Sequence, residues 1–201
     1  MPEHSSPKST ARREHIVAAA RTLFLRNGIR RTTMEAIARE AGVAKATLYS
    51  QFPDKDAVYA AVVERIAEAL SQECTRAFSQ PGAGWERAAN ALAAKHRSVF
   101  RLLEGSAHAD ELYRSRPPGA AQHLGALDQW LEKSVIEALA KDGHSEPVRY
   151  GYLLIAAAEG IALRANRAEE IGPAIRLLAE KLLSDGGSNS PSKSPHRGNA
   201  D

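Results

Sequence analysis

The sequence of 201 residues contains a single cysteine, Cys74. One thiol excludes an internal disulfide and a zinc site built from several cysteines. Long apolar runs are also missing, and none approaches the roughly 20 residues that a membrane-spanning helix requires. Residues 1–8 lack the apolar core of a signal peptide. These absences predict a protein of the cytoplasm.

Sustained alternation of apolar and polar residues is missing as well, so we expect no β-sheet. Helical periodicity is present instead. Within residues 16–24 the apolar side chains recur at the spacing of one buried helix face, and this helix is expected to begin near Ser9 or Thr10. Similar patterns continue to about residue 184. The sequence therefore predicts an all-α fold of about nine helices.

Residues 33–55 contain the most informative pattern, a helix, a tight turn at Gly42 and a second short helix. Glycine permits the positive φ that such a turn requires. Apolar residues such as Ile37 and Leu48 pack the two helices together, and they leave most of the second helix free for other contacts. A short helix with small, polar and basic outward residues fits the major groove of DNA. The residues left free are Lys45, Ala46, Thr47, Tyr49, Ser50 and Gln51.

The charge distribution supports a DNA-binding helix-turn-helix. Residues 1–59 contain ten Lys and Arg against six Asp and Glu, a net charge of +4, whereas the whole chain carries +3. The excess positive charge therefore lies beside the motif, as contact with phosphates requires. An excess of this size is also common on ordinary solvated surfaces.

The composition divides the chain into four parts. Serine, proline and lysine are frequent at the N-terminus, and serine, glycine and proline at the C-terminus, which is typical of disorder. Between them, a three-helix DNA-binding domain is followed by a helical bundle for ligand binding and dimerisation. The predicted parts are a disordered arm (1–9), the helix-turn-helix domain (10–54), the regulatory domain (55–184) and a disordered tail (185–201).

Two helices near the C-terminus are candidates for a dimer interface. The segment 150–164 is apolar nearly all round, so we expect it to be buried on both sides. Gly172 and Pro173 are expected to interrupt the chain before the last helix. Two such helices can pack against the same pair of a second copy and form a four-helix interface. The alternative is that both helices are buried in the core of a monomer. The predicted interface residues are Tyr152, Ile155, Leu163, Ile175, Leu178 and Leu182.

The segment from about Thr10 to Val58 resembles the DNA-binding domain of the TetR family of bacterial transcriptional regulators. The resemblance rests on Thr33, Ile37, Ala38, Ala41, Gly42, Val43, Thr47, Leu48, Tyr49, Phe52 and Lys55. It implies an all-helical homodimer that binds double-stranded DNA at a palindromic operator, usually as a repressor, and releases it when a small molecule binds. It also implies a bacterial cytoplasmic protein that is associated with the nucleoid when bound. No cofactor, metal or membrane partner is expected.

The predicted contacts to DNA fall into two groups. Lysine suits guanine acceptors, glutamine suits adenine, and a threonine methyl can contact thymine. The predicted base-reading residues are Lys45, Ala46, Thr47, Ser50 and Gln51. At a helix start a threonine can offer its hydroxyl and N–H to a phosphate, and Tyr49 lies where the family has a phosphate-contacting phenol. The predicted phosphate contacts are Thr33, Tyr49, Lys55, Arg30 and Arg31.

Two positions at the helix starts need comment. Thr32 and Thr33 both fit as the cap of the first helix of the motif, and Thr33 agrees better with its apolar phase. The family often has a serine that caps the second helix, where this chain has Ala44. Loss of such a cap costs about 1 kcal/mol.

The ligand site is expected among polar residues at interior-looking positions of the second domain. Glu159 interrupts an apolar helix and would need a partner if buried. Glu104, His108 and Glu111 share a helical spacing that suits a metal, although a solvated charged face explains them equally well. The pocket candidates are Asn90, His96, Glu104, His108, Trp130 and Glu159.

Two other classes of function are open at this point. A DNA-targeted enzyme, such as a recombinase or nuclease, requires paired acids or a nucleophile beside a base. Ser98 near His96 has no such spacing, so we expect no enzyme. A helical adaptor that docks on a protein would bind with little dependence on salt, unlike a protein that contacts phosphates.

Overall fold

The computed structural model describes residues 7–106, 108–110 and 118–183, and within them the chain forms eight helices and no strand. The all-α prediction is confirmed. About nine helices were expected for the whole chain. The eight are α1 (Pro7–Asn27), α2 (Met34–Glu40), α3 (Lys45–Gln51), α4 (Lys55–Phe78), α5 (Gly84–Glu104), α6 (Pro118–Lys141), α7 (Pro147–Arg164) and α8 (Ala168–Leu183).

Helix α1 begins earlier than the composition predicts. Residues 7–9 are helical, whereas the sequence analysis assigns them to a disordered arm. Pro7 is the first helical residue, a position where its fixed φ is suitable and its missing N–H would have no partner in any case. The rest of the predicted arm, residues 1–6, and the tail from residue 184 lie outside the described residues.

A first hydrophobic cluster joins α1, α2 and α3 to the first part of α4. The rings of Phe24 and Tyr59 meet edge to face at 6.1 Å between centroids. Ile37 of α2 and Leu48 of α3 are fully buried in the same cluster, and Leu127 of α6 reaches it from the other side of α4. These contacts anchor α3 to the cluster that α1, α2 and α4 share.

A second cluster lies among α5, α6, α7 and α8, with α5 packed against both α4 and α8. Its buried residues include Leu92, Leu139, Leu154 and Ile171, one from each helix. Cys74 of α4 is fully buried here, and burial raises the pKa of its thiol to about 11. The thiol therefore stays protonated, which suits a role in packing rather than redox chemistry.

The expected break at Gly172 and Pro173 is wrong. Helix α8 runs through both residues, and the break between the last two helices lies at residues 165–167. Proline inside a helix removes one backbone hydrogen bond. Ile171 and Ile175, on either side of Pro173, are fully buried, so packing outweighs that loss. Among the described residues no helix combines the length and apolar character that crossing a bilayer requires.

Candidate nucleic-acid interface

Helix α2 begins with a side-chain cap at Thr33. Its hydroxyl oxygen accepts a hydrogen bond from the backbone N–H of Ala36 at 3.2 Å. Thr32 is instead buried, and its hydroxyl donates to the carbonyl of Gly28 at 2.8 Å. The preference for Thr33 as the cap is therefore confirmed. Thr33 is exposed, so its side chain and the start of α2 are accessible to a phosphate.

The turn between α2 and α3 depends on Gly42, as predicted. Its φ is +61°, a backbone conformation that residues other than glycine rarely adopt. The N–H of Val43 donates to the carbonyl of Ala38 at 3.0 Å and closes the turn. The direction of α3 relative to α2 is fixed by this short connection.

Helix α3 has one buried and one exposed face. Leu48 and the following Phe52 are almost completely buried and anchor the helix to the first cluster. Of the base-reading candidates, Lys45, Ala46 and Ser50 are exposed, and Thr47 and Gln51 are half-buried. The exposed face is polar and basic, with small side chains that allow close approach to a groove.

The start of α3 lacks a side-chain cap. Ala44 occupies the N-cap position with extended backbone angles, φ −65° and ψ 146°, and makes no side-chain hydrogen bond. The N–H groups of the first turn are thus left to solvent or to a ligand. In this respect α3 differs from α2 and from α4, whose cap Asp54 accepts from the N–H of Ala57 at 2.8 Å.

Lys45 is paired within the free protein. Its Nζ lies 2.5 Å from a carboxylate oxygen of Glu35 and 5.8 Å from the ring centroid of Tyr49. The hydrogen bond and the charge attraction raise the pKa of Lys45 and lower that of Glu35. Both side chains are exposed, so the ammonium can leave Glu35 for a stronger acceptor.

Lys55 is the first residue of α4, at the helix start where it was predicted, and its side chain also has contacts within the protein. Its Nζ donates to the backbone carbonyls of Ile29 at 2.9 Å and Thr32 at 3.0 Å, and the side chain is half-buried. An ammonium has three donors, so one is left for a phosphate. The ammonium thus secures the connection between α1 and α2, a role that sequence spacing could not reveal because the residues are far apart in the chain.

The remaining phosphate candidates are accessible. Arg30 and Arg31 lie exposed in the connection that Lys55 holds, and 42% of Tyr49 is exposed. Exposed tyrosine and arginine are the residue types that contact DNA backbone oxygens. Their assignment to phosphates stays a prediction.

His96, one of the six pocket candidates, is buried in α5. Its Nε2 has no hydrogen-bond partner among the described residues, and burial lowers the pKa of the imidazole to about 4. The neighbouring Lys95 is also buried, and its Nζ lies 2.7 Å from a carboxylate oxygen of Asp128 on α6. This ion pair was not predicted, since nothing in the sequence spacing links residues on two separate helices.

The other pocket candidates lie apart from His96. Asn90 lines a cleft beside α4 and α5, whereas Trp130 lines another cleft between α4 and α6. Glu159 was expected to be buried and is exposed, because no other described helix covers the face of α7 that carries it. The expectation of a buried carboxylate is therefore wrong for the single chain.

Glu104 and His108 do not form a predicted polar pocket either. Glu104 is exposed at the end of α5, and His108 is half-buried beyond that end. Gly105 terminates α5, so the two residues do not share one helical face. Glu111, the third member of the possible metal set, lies outside the described residues.

The predicted dimer-interface residues of α7 differ in how far they are exposed. Leu163 is 75% exposed and Tyr152 51% exposed, while Ile155 is half-buried. The hydroxyl of Tyr152 donates to a carboxylate oxygen of Glu132 at 2.9 Å, which ties its ring to α6. Leu153, 47% exposed, belongs to the same uncovered surface and was not among the predicted residues.

Helix α8 requires one correction. Ile175 is fully buried in the second cluster and cannot contact another copy. Leu178 and Leu182 are half-buried, and Leu177, which was not predicted, is 58% exposed. Helical periodicity identifies the apolar face but does not distinguish the stripe that packs inward from its neighbour.

Similarity to known proteins agrees with this geometry. The model for bacterial regulatory proteins of the tetR family matches residues 16–62. The nucleoid occlusion factor SlmA of Vibrio campbellii is 30% identical over 148 residues, which cover 70% of this chain and 75% of that protein. SlmA of Shewanella woodyi is 28% identical over 174 residues, covering 82% and 87%.

A solved structure shows the same fold. The transcriptional regulator of the TetR/AcrR family from Thermobifida fusca superposes with a TM-score of 0.70 at 22% identity, covering 84% of this chain and 96% of that one. The family consists of DNA-binding regulators rather than enzymes. With its capped α2, its glycine turn and its exposed α3, the chain belongs to the TetR family and is a DNA-binding transcriptional regulator.

Proposed function

We propose that the protein is a repressor that binds a palindromic operator as a homodimer and releases it when a small molecule binds to the helices after α3. In this proposal residues 10–54 form the DNA-binding domain and residues 55–184 the regulatory domain. The observation that carries the proposal is the anchoring of α3. Leu48 and Phe52 bury one side of a seven-residue helix whose other side is basic, polar and exposed. The protein would act in the cytoplasm, associated with the nucleoid when bound.

A second copy is the natural partner for the uncovered face of α7. Tyr152, Leu153 and Leu163 expose apolar surface there, and a contiguous apolar surface of this kind is typical of an interface. A two-fold dimer would present two α3 helices to DNA, and operators of such dimers are palindromic because they mirror the symmetry of the protein.

A footprint on the DNA upstream of the protein's own gene tests the operator, and sedimentation tests the dimer. Leu163→Arg should shift the protein towards monomer and weaken protection of a symmetric site, whereas Ala126→Arg on the exposed face of α6 should change neither. A wild-type monomer that still protects a symmetric site would exclude the dimer. An asymmetric site protected by a stable dimer would exclude the palindrome.

Nucleoid occlusion is a second candidate, favoured by the names of the Vibrio and Shewanella relatives. It also requires DNA binding through α3, so the two candidates differ in where the protein binds. Mapping of bound sites across the chromosome separates them. Sites at one or a few promoters support repression, and many dispersed sites away from promoters support nucleoid occlusion.

A further inference from the structure

Two clefts meet on either side of Glu73 and Ser98. The Ser98 hydroxyl donates a hydrogen bond to the Glu73 carboxylate, and these two residues line both clefts. One cleft has a volume of about 380 Å³ and the other about 420 Å³. Each lies in the range of small-molecule sites, which is roughly 300 to 1,000 Å³.

The first cleft, which we call the apolar chamber, lies between α1, α4 and α5. Its apolar walls include Val17, Ile66, Leu70 and Leu102, and its charged lining residues are Glu14, Arg21, Arg65 and Glu73. At its rim the guanidinium of Arg65 lies 3.1 Å from the carboxylate of Glu14 and links α4 to α1. The chamber therefore adjoins the helix on which the DNA-binding motif rests.

The second cleft, which we call the arginine cleft, has the opposite character. Arg76, Arg97 and Arg101 line it against one acid, Glu73. Glu73 already accepts the hydrogen bond of Ser98, and Arg101 lies 3.6 Å from the carboxylate of Glu169. A concave surface with three arginines and one acid concentrates anions.

Of the three arginines in the cleft, Arg97 is the best placed to bind an anion. Both its Nη1 and the Nη1 of Arg176 lie within 3.2 Å of the point where a Cβ on residue 172 would be, so glycine at that position leaves room for two guanidinium groups side by side. Among the described residues neither guanidinium has an acidic partner within 4.0 Å. Two like charges at this separation repel each other, and an anion between them relieves the repulsion.

We propose that the apolar chamber and the arginine cleft form one site for an anionic amphiphile. Its apolar chain or ring occupies the chamber, and its carboxylate or phosphate binds Arg97 past the Glu73 and Ser98 pair. The inference builds on the proposed function, because it gives the class of the effector. A ligand in the chamber touches α1, α4 and α5 together, so its binding changes how α1 packs on α4 and thereby moves α3.

Calorimetric titration of the DNA-free protein tests the site. The probes are octanoate and octyl phosphate, with octylamine as the oppositely charged amphiphile and acetate and inorganic phosphate as anions without a chain. We expect either octyl anion to bind at least about tenfold more tightly than octylamine and the chainless anions. Equal binding of octylamine, or of acetate and phosphate, would overturn the proposal.

Three variants separate the two halves of the site. Arg97→Gln should weaken octanoate binding about tenfold, and Arg149→Gln, an exposed arginine of α7, should leave it unchanged. Ala69→Leu should weaken it by filling the chamber at an exposed alanine of its wall. Gly172→Ala should weaken it by displacing the guanidinium of Arg97 while the charge is kept. Wild-type affinity in Arg97→Gln and in Gly172→Ala would refute the site.

DNA binding is measured separately, by anisotropy of a labelled operator with and without octanoate. Retained DNA binding together with absent octanoate binding would refute this inference and leave the proposed repressor intact. Octanoate binding without any release of DNA would refute the effector role of the site. Release of the operator by octanoate in the wild type, but not in Arg97→Gln, would support both the ligand site and its role as the effector site.

Discussion

Lys45 Nζ of α3 and a carboxylate oxygen of Glu35 on α2 lie 2.5 Å apart, so the one basic side chain of α3 is paired with an acid of the neighbouring helix. The pair bridges the two helices of the motif across the Gly42 turn. Glu35 also places a negative charge beside the surface that must approach phosphates. If Lys45 contacts DNA as predicted, we expect this pair to compete with that contact.

Replacing that acid should strengthen DNA binding. Glu35→Gln frees Lys45 and removes a repulsive charge, so we expect a lower Kd and a steeper dependence on salt. The free energy of unfolding should change by less than about 0.5 kcal/mol, because the pair is exposed. Glu137→Gln, which removes an acid paired with Lys133 on α6, is the control. Unchanged affinity in Glu35→Gln would show that the pair does not restrain Lys45.

A cap added to α3 should stabilise it. Ala44 already has the extended backbone of an N-cap, so Ala44→Ser can accept an N–H of the first turn without rearrangement. We expect the free energy of unfolding to rise by about 1 kcal/mol in urea titrations. Ala46→Ser, within the helix, is the matched substitution and should not stabilise. Equal effects of the two serines would contradict a capping role.

Lys55 should matter for stability as well as for DNA. Lys55→Met removes two hydrogen bonds to the carbonyls of Ile29 and Thr32, and we expect a loss of about 1 to 3 kcal/mol. Lys141→Met, at the exposed end of α6, should be neutral in the same thermal and urea measurements. A Lys55→Met protein of wild-type stability with weaker DNA binding would restore the phosphate role as the main one.

His96 should make the fold sensitive to acid. Its pKa in the folded protein is about 4, below the ordinary 6.5, so between these values the unfolded chain binds the additional proton. The stability due to the neutral imidazole is complete above pH 6.5 and falls by about 3 kcal/mol as the pH decreases to 4. The charged neighbours of His96 are Lys95 and Asp128, and both are present in the wild type and in the His96→Leu variant used below.

The measurement is the free energy of unfolding from pH 7 to pH 4. His96→Leu should show a flatter dependence, whereas His15→Gln, at an exposed position, should follow the wild type. A His96→Leu protein as acid-sensitive as the wild type would mean that other groups cause the loss.

Sequence patterns predicted the motif well because its determinants are local. The start of α4 is set in the same way, since Pro53 separates it from the preceding helix and Asp54 supplies the cap. The turn at Gly42 and the cap at Thr33 likewise depend on residues within a few positions of one another. The periodic apolar faces then sufficed for the fold class.

Patterns failed where the outcome depends on tertiary packing. Pro173 continues a helix because buried isoleucines flank it, and Glu159 is exposed because none of the other seven described helices covers it. Lys55 and the Arg97 and Arg176 pair are defined by contacts between residues that are distant in the sequence. The family resemblance covers the DNA-binding motif and gives no information on these contacts.

In the proposed DNA complex, α3 reads bases while Tyr49 contacts the phosphate backbone. Affinities of Gln51→Ala, Lys45→Ala and Tyr49→Phe for the footprinted operator and its single-base variants test it directly. Tyr49→Phe should weaken every sequence by the same factor. Gln51→Ala and Lys45→Ala should each lose about 1 to 3 kcal/mol of discrimination at particular base pairs. Wild-type base preferences in both would contradict the claim.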